Sequence, residues 1–186
     1  MKEGYLKSEC IVLKKSRFKE SSALLEIFSP LLGKHSVIAQ GIFRKKKTFS
    51  SHLEPLSINH IEFFYKESRR MQTITKADLV YYPENIIGDL DVFEYAAKSL
   101  RILRKQEYPT ESIKQLYGTI KSAIIQFNEK ENAMLVYLDF LRSYLFLEGH
   151  LSEMYLRESG NRTAYDEKNT RREIKEYERM MKRNDI

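Results

Sequence analysis

Cysteine is almost absent from this chain: Cys10 is the single one in 186 residues. One thiol excludes an internal disulfide and a thiolate metal cluster, and it fits a reducing, cytoplasmic setting. Long apolar runs are missing as well. The segment Met1-Lys2-Glu3-Gly4-Tyr5-Leu6-Lys7 leads into a short apolar run, Cys10 to Leu13, that Lys14 ends. That leaves no room for a signal-peptide core or a membrane span, so the expectation is a protein neither exported nor anchored. No Gly-x-x-x-x-Gly-Lys-Ser/Thr loop occurs, and no Gly-x-Ser-x-Gly elbow surrounds any serine, Ser21 and Ser22 included. His35, His52, His60 and His150 lie in dissimilar contexts. Nucleotide hydrolysis and nucleophilic catalysis thus lack their usual apparatus, and the expectation is a non-enzymatic protein without a cofactor. Asn161-Arg162-Thr163 matches a glycosylation acceptor, a chance match in a chain of this kind.

What the chain does have is clustered positive charge. The net charge is +6, but residues 1–80 carry +7, residues 81–160 carry −3 and residues 161–186 carry +2. The positive field therefore belongs to the first half, which favours an acidic partner there. Its densest point is Arg44-Lys45-Lys46-Lys47, flanked by Phe43 and Phe49. Four adjacent cations cost too much to desolvate for burial, so they face solvent or a polyanion.

Two periodicities divide the chain. Cys10-Ile11-Val12-Leu13, Ala23 to Phe28, Ser36 to Ala39, Leu56 to Tyr65 and Met71 to Thr75 read as five strands, with Pro30 and Gly33 punctuating a hairpin. Five strands in so short a stretch need closure to hide their edges, which points to a small OB-fold barrel. After Pro83 the period becomes helical. Helices are predicted over Asp91–Lys105, with Asp91 and Glu94 as a capping box, then from Pro109 and Thr110 through Ile113, Leu116, Tyr117, Ile120, Ile124 and Phe127. A third runs through Met134, Tyr137, Leu138, Leu141, Tyr144 and Leu145. The stretch Thr163–Ile186 reads as a surface helix or tail, with Thr170 and Glu173 spaced as a capping box and Ile174, Tyr177 and Met181 on one face. The fold class is α+β with two domains: a five-stranded OB-fold barrel (1–80), an all-α helical bundle (81–160), and a charged C-terminal helix or tail (161–186).

The cations of the first half fall into three groups, all read as loops: Lys14, Lys15, Arg17 and Lys19 after the first strand, Arg44 to Lys47, and Lys66, Arg69 and Arg70 before the last strand. Loops that converge at the mouth of a barrel would neutralise phosphates and release counterions. Phe18, Phe43 and Phe49 lie within or beside these groups and are candidates for stacking on unpaired bases, or else strand-end core residues. Asp89, Asp91 and Glu94 could hold a divalent metal as in a nuclease, but helix capping accounts for them better. RNA-binding OB proteins and adapters for acidic proteins are the other rivals.

Ile11-Val12-Leu13-Lys14, Glu20-Ser21-Ser22-Ala23-Leu24-Leu25, Phe28 through Gly33-Lys34, Ala39-Gln40-Gly41, Leu53-Glu54-Pro55-Leu56 and Thr73-Ile74-Thr75-Lys76-Ala77-Asp78 occur in an order that resembles the RecO family of recombination mediators. The resemblance spans about residues 5 to 82 and continues weakly to about Gly160. It implies an OB-fold followed by a helical domain. It further implies binding of single- and double-stranded DNA, annealing of complementary strands, and help in loading RecA with RecR at the nucleoid. The last partner it implies is the acidic C-terminal tail of the single-stranded DNA-binding protein SSB. On this reading Lys14, Lys15, Arg17, Arg44, Lys45, Lys46, Lys47, Arg69 and Arg70 contact DNA. Such a tail needs cations beside an apolar groove, and Lys98, Arg101 and Lys105 share one side of a helix next to Leu100 and Leu103, with Lys114 and Lys121 as a second stripe. Two departures stand out. Gln40 replaces a common lysine, and Leu156 and Ser159 stand where the first Cys-x-x-Cys of a zinc module would lie. With one cysteine that four-cysteine module cannot form here, and a shortened, remodelled C-terminal region is expected.

Overall fold

The structure is a computed structural model that describes residues 3–44, 53–69, 71–105, 107–129, 132–153 and 166–183. Five strands, β1 (Gly4–Phe18), β2 (Ser22–Ser29), β3 (Gly33–Ala39), β4 (Ile58–Tyr65) and β5 (Gln72–Tyr81), close in the order β1-β2-β3-β5-β4. All neighbouring pairs are antiparallel except β3 and β5, which run parallel through Val37↔Gln72 and Ile38↔Thr73. This is the strand order of an OB-fold, the architecture expected from the sequence. Alternation fills the interior: Cys10 and Val12, Ala23, Leu25 and Ile27, Val37 and Ala39, Ile61 and Phe63, with Ile74 and Ala77, form one buried cluster.

β1 is much longer than its apolar core. It runs through a bulge between Val12 and Lys14 and continues to Phe18, so Lys14, Lys15 and Arg17 are strand residues and not, as read from the sequence, part of a loop. The bulge lies where the returning chain docks. Leu56, at φ 72, donates its N–H to the Val12 carbonyl at 2.9 Å, and Val12 donates to the Ser57 carbonyl at 3.0 Å. One strand can then serve both neighbours, pairing with β4 through residues 4–11 and with β2 through residues 11–18.

The chain forms two compact units, Met1–Tyr82 with Glu107–Tyr117, and Pro83–Gln106 with Gly118–Ile186. In the first, residues 107–117 cover a second apolar face of the barrel. The Tyr108 ring meets Phe28 edge-on at 5.7 Å, the Tyr117 hydroxyl donates to Glu9 Oε1 at 2.7 Å, and Lys34 pairs with Glu107 at 3.2 Å. Ile113 and Tyr117, read from the sequence as bundle residues, thus belong to the barrel unit.

The second unit holds α1 (Glu84–Ile87), α2 (Leu90–Lys105), the later turns of α3 (Thr110–Asn128), α4 (Ala133–Leu147) and α5 (Glu167–Arg183). Its core is the apolar stripe of each helix: Ala96, Leu100 and Leu103; Ile120, Ile124 and Phe127; Leu141, Tyr144 and Leu145; Ile174, Tyr177 and Met181. Two caps differ from the sequence reading. Asp89, not Asp91, caps α2 by accepting from the Asp91 and Val92 amides at 3.0 and 3.2 Å. Asp166, not Thr170, caps α5 by accepting from the Lys168 and Asn169 amides at 3.0 and 3.3 Å, while Thr170 is buried inside the helix. Among the described residues no helix is long and apolar enough to cross a membrane.

Candidate nucleic-acid interface

Strand register brings one described arginine of each cation group, Arg17, Arg44 and Arg69, to the same end of the barrel. Arg17 pairs with Ala23, Ala23 with Ala39, and Ile38 with Thr73. The β1–β2 turn, the chain leaving β3 and the start of β5 therefore share one end of the barrel. Gln72, fully buried, ties the β4–β5 turn to that end. Its side chain accepts from the Lys66 amide at 3.1 Å and donates to the carbonyls of Lys66 and Arg69 at 3.0 and 2.9 Å, which leaves Arg69 exposed.

After β3 the chain folds back over β1. Gly41 takes φ 72, Arg44 donates its N–H to the Gly41 carbonyl at 3.0 Å, and Phe43 donates to the Ser21 carbonyl at 3.1 Å. This places the Phe43 ring, 45% exposed, beside Lys15 Nζ at 5.4 Å and Arg17 Cζ at 5.8 Å. Such cation–aromatic contacts are worth about 0.5–1 kcal/mol at exposed sites, so the ring is held in place while remaining partly exposed. Half-buried Phe18 carries Lys19 Nζ at 5.5 Å, Lys19 itself standing at φ 57 in the β1–β2 turn.

The cations are not equivalent. Arg17, Arg44 and Arg69 are exposed. Lys15 is largely covered and paired with Glu54, and Lys14 lies opposite Glu26, with its ammonium 3.9 Å from that carboxylate. Strand alternation also puts Lys14 on the other face from Lys15 and Arg17. Glu54 and Glu26 are partners that a count of cations without their acids overlooks. The Leu53-Glu54-Pro55-Leu56 motif is the available signal for the first. Lys45, Lys46, Lys47, Phe49 and Arg70 lie outside the described residues.

In the helical unit, Lys98 is engaged by Glu94 at 2.8 Å and sits 5.0 Å from the Tyr95 ring centroid. That hydrogen bond holds the Glu94 carboxyl below its ordinary value. Arg101 is exposed, and Leu100 and Leu103 beside it are buried in the bundle. With Asp89 capping α2 and Glu94 tied to Lys98, two of the three acids have structural work. Among the described residues no group of three or more His, Cys, Asp or Glu is placed to hold a metal. Cys10 is sealed in the barrel core, where burial first and Glu9 second push its thiol well above the ordinary range.

Strand order and rim together define the first unit as an OB-fold module that presents arginines and an exposed aromatic ring at one end. Residues 1–83 match the family described as "Recombination protein O N terminal". Curated proteins named "DNA repair protein RecO" are similar to this chain. That of Syntrophomonas wolfei is 27% identical over 133 residues, covering 71% of this chain and 52% of the relative. That of Salinibacter ruber is 29% identical over 75 residues (40% and 29%), and that of Rubrobacter xylanophilus 32% over 97 residues (52% and 38%). Residues 1–83 are thus similar to the N-terminal domain of the RecO family. The chain spans about half the length, or less, of the curated relatives it matches.

Proposed function

We propose that this chain acts in DNA repair and recombination by binding DNA backbones at the barrel rim with little sequence preference. The observation that carries this reading is the rim itself, where Arg17, Arg44 and Arg69 share one end of an OB barrel with the exposed Phe43 ring. Arginines would neutralise phosphates and release counterions, and the ring would stack on unpaired bases. Annealing follows if two strands are screened at once, and the reading requires no catalytic step by this chain. Lys14, Lys15, Lys45, Lys46, Lys47 and Arg70 are assigned supporting phosphate contacts, and Phe18 and Phe49 secondary stacking roles. The partners RecR, the SSB tail and, indirectly, RecA rest on the family resemblance, with Lys98, Arg101 and Lys105 as the site for the tail. Unchanged tail-peptide affinity after charge reversal of those three would remove that assignment.

The decisive experiment titrates a labelled single-stranded oligonucleotide at several salt concentrations. Replacing Arg44 through Lys47 with alanine should weaken binding and lower the slope of log affinity against log salt by about 0.7 for each phosphate that is no longer neutralised. Equal affinity and equal slope would end the reading. Competition with a matched RNA separates a DNA-binding protein from an RNA-binding one, and annealing of SSB-coated strands with and without RecR tests the mediator role.

A further inference from the structure

The last helix, α5, sorts its charges by face. At about 100° per residue, its seven cations Lys168, Arg171, Arg172, Lys175, Arg179, Lys182 and Arg183 fall within one arc of about 120°. All seven are exposed, and among the described residues only Arg171 has an ion pair, with Glu167 at 2.8 Å. The four acids lie outside the arc, and two of them are spent inward. Glu173 binds buried Arg142, with Nε donating at 2.8 Å, and accepts from the Tyr177 hydroxyl at 2.9 Å; Glu178 accepts from the Tyr137 hydroxyl at 3.2 Å. These bonds, with buried Ile174, Tyr177 and Met181, moor the helix to its unit and turn the cations outward.

Like charges three and four residues apart on a helix repel, and here they recur along its whole length, as at Lys168/Arg172, Arg171/Lys175, Lys175/Arg179 and Arg179/Arg183. Five of the cations, Lys168 to Arg179, line an open recess of about 360 Å³. We infer that this stripe is a second nucleic-acid contact, a sequence-independent seat for a phosphate backbone. From Lys168 to Arg183 the helix extends about 22 Å, the axial rise of about six phosphates on one strand of a duplex. Four of the seven are arginines, whose forked donors match phosphate oxygens. An anionic membrane is a poor occupant, because the apolar face an interfacial helix would insert is already buried in the protein.

The seat stands on α5 alone, whether or not the barrel rim binds DNA. The test uses the full chain and a labelled thymine-only oligonucleotide, comparing Arg172→Gln/Lys175→Gln/Arg179→Gln with a control that removes equal charge at three ion-paired lysines, Lys7→Gln/Lys34→Gln/Lys76→Gln. The α5 variant should lose affinity and lower the salt slope by about 2, against a much smaller change in the control. A thermal melt should show both folded, and Arg172→Lys/Arg179→Lys, which keeps the charge, should keep the slope. The same loss should persist when Arg17, Arg44 and Arg69 are alanine, which separates this seat from the rim. An unchanged slope, or an equal fall in the control, overturns the proposal. So does poly-glutamate that displaces the oligonucleotide from the wild type at equal charge but binds the α5 variant more weakly, since the occupant is then an acidic protein.

Discussion

At the residue scale, contacts between positions far apart in sequence decide what each side chain can do. Gly33 illustrates the tightest of them. It adopts φ 65 in the β2–β3 connection, and a Cβ there would come within 2.9 Å of Ile113 Cδ1. Gly33→Ala should therefore lower unfolding free energy by at least about 1–2 kcal/mol, the cost of the left-handed conformation alone, visible as a shifted denaturant midpoint. At the rim, Phe43→Ala and Arg17→Ala should separate. The first should cost about 1–3 kcal/mol of single-stranded affinity with the salt slope intact, and the second should lower the slope by about 0.7. Equal slopes in both variants would mean that Arg17 touches no phosphate. The sequence exposed all these cations but not their neutralisation. Lys15 and Glu54 are 39 residues apart, and only the docking of the returning chain at the β1 bulge brings them together.

At the element scale, apolar periodicity gave helix faces well and helix starts less well. Most buried residues of α2, α4 and α5 are those the three-and-four spacing selects, with Ile102, Val136, Phe140 and Arg142 buried outside that selection. The caps are displaced because the capping-box spacing is short and recurs by chance. Thr170 and Glu173 satisfy it, yet the Thr170 hydroxyl donates to the Asp166 carbonyl at 2.8 Å and Glu173 is committed to Arg142. Asp89→Ala and Asp166→Ala should each cost about 1 kcal/mol by chemical denaturation, with Asp91→Ala nearer neutral. Arg142→Ala should cost more, up to about 3 kcal/mol, because only 5% of Arg142 is exposed and its partner Glu173 would be left half-buried without it. Burial opposes the Arg142 charge, and Glu173 and Tyr177 more than offset it, holding the guanidinium above its ordinary value. Strand length was legible only as far as hydrophobicity reached. Lys14 to Arg17 pair with β2 through backbone bonds that a charged strand makes as well as an apolar one.

At the scale of the whole molecule, each unit buries phenols beside carboxylates. Burial first, then Glu173, pushes the Tyr177 hydroxyl up to about 12; Tyr117 is raised by burial and Glu9, Tyr137 by burial and Glu178. A phenol whose folded value exceeds its unfolded value of about 10 keeps its proton longer in the folded state. Its contribution is complete below about pH 10 and is lost as pH rises toward the folded value, so stability should fall on the alkaline side. Tyr177→Phe should flatten the part of that fall between about pH 10 and 12, measured as urea midpoints across the range, and an unchanged slope would contradict the buried hydroxyl. What sequence could not supply at this scale was the allegiance of residues 107–117. Helical spacing shows that Ile113 and Tyr117 share an apolar face, but not which surface that face meets; in the barrel unit Ile113 lies against Gly33 and the Tyr117 hydroxyl meets Glu9. The same barrel gives the chain a practical property. Its one sulfhydryl is walled off among Val12, Ile61 and Phe63 and resists ionisation, so a cysteine introduced on the outside, at Thr75 for instance, would be the sole reactive handle for a dye, and distances to a labelled strand could be read without first deleting a native thiol.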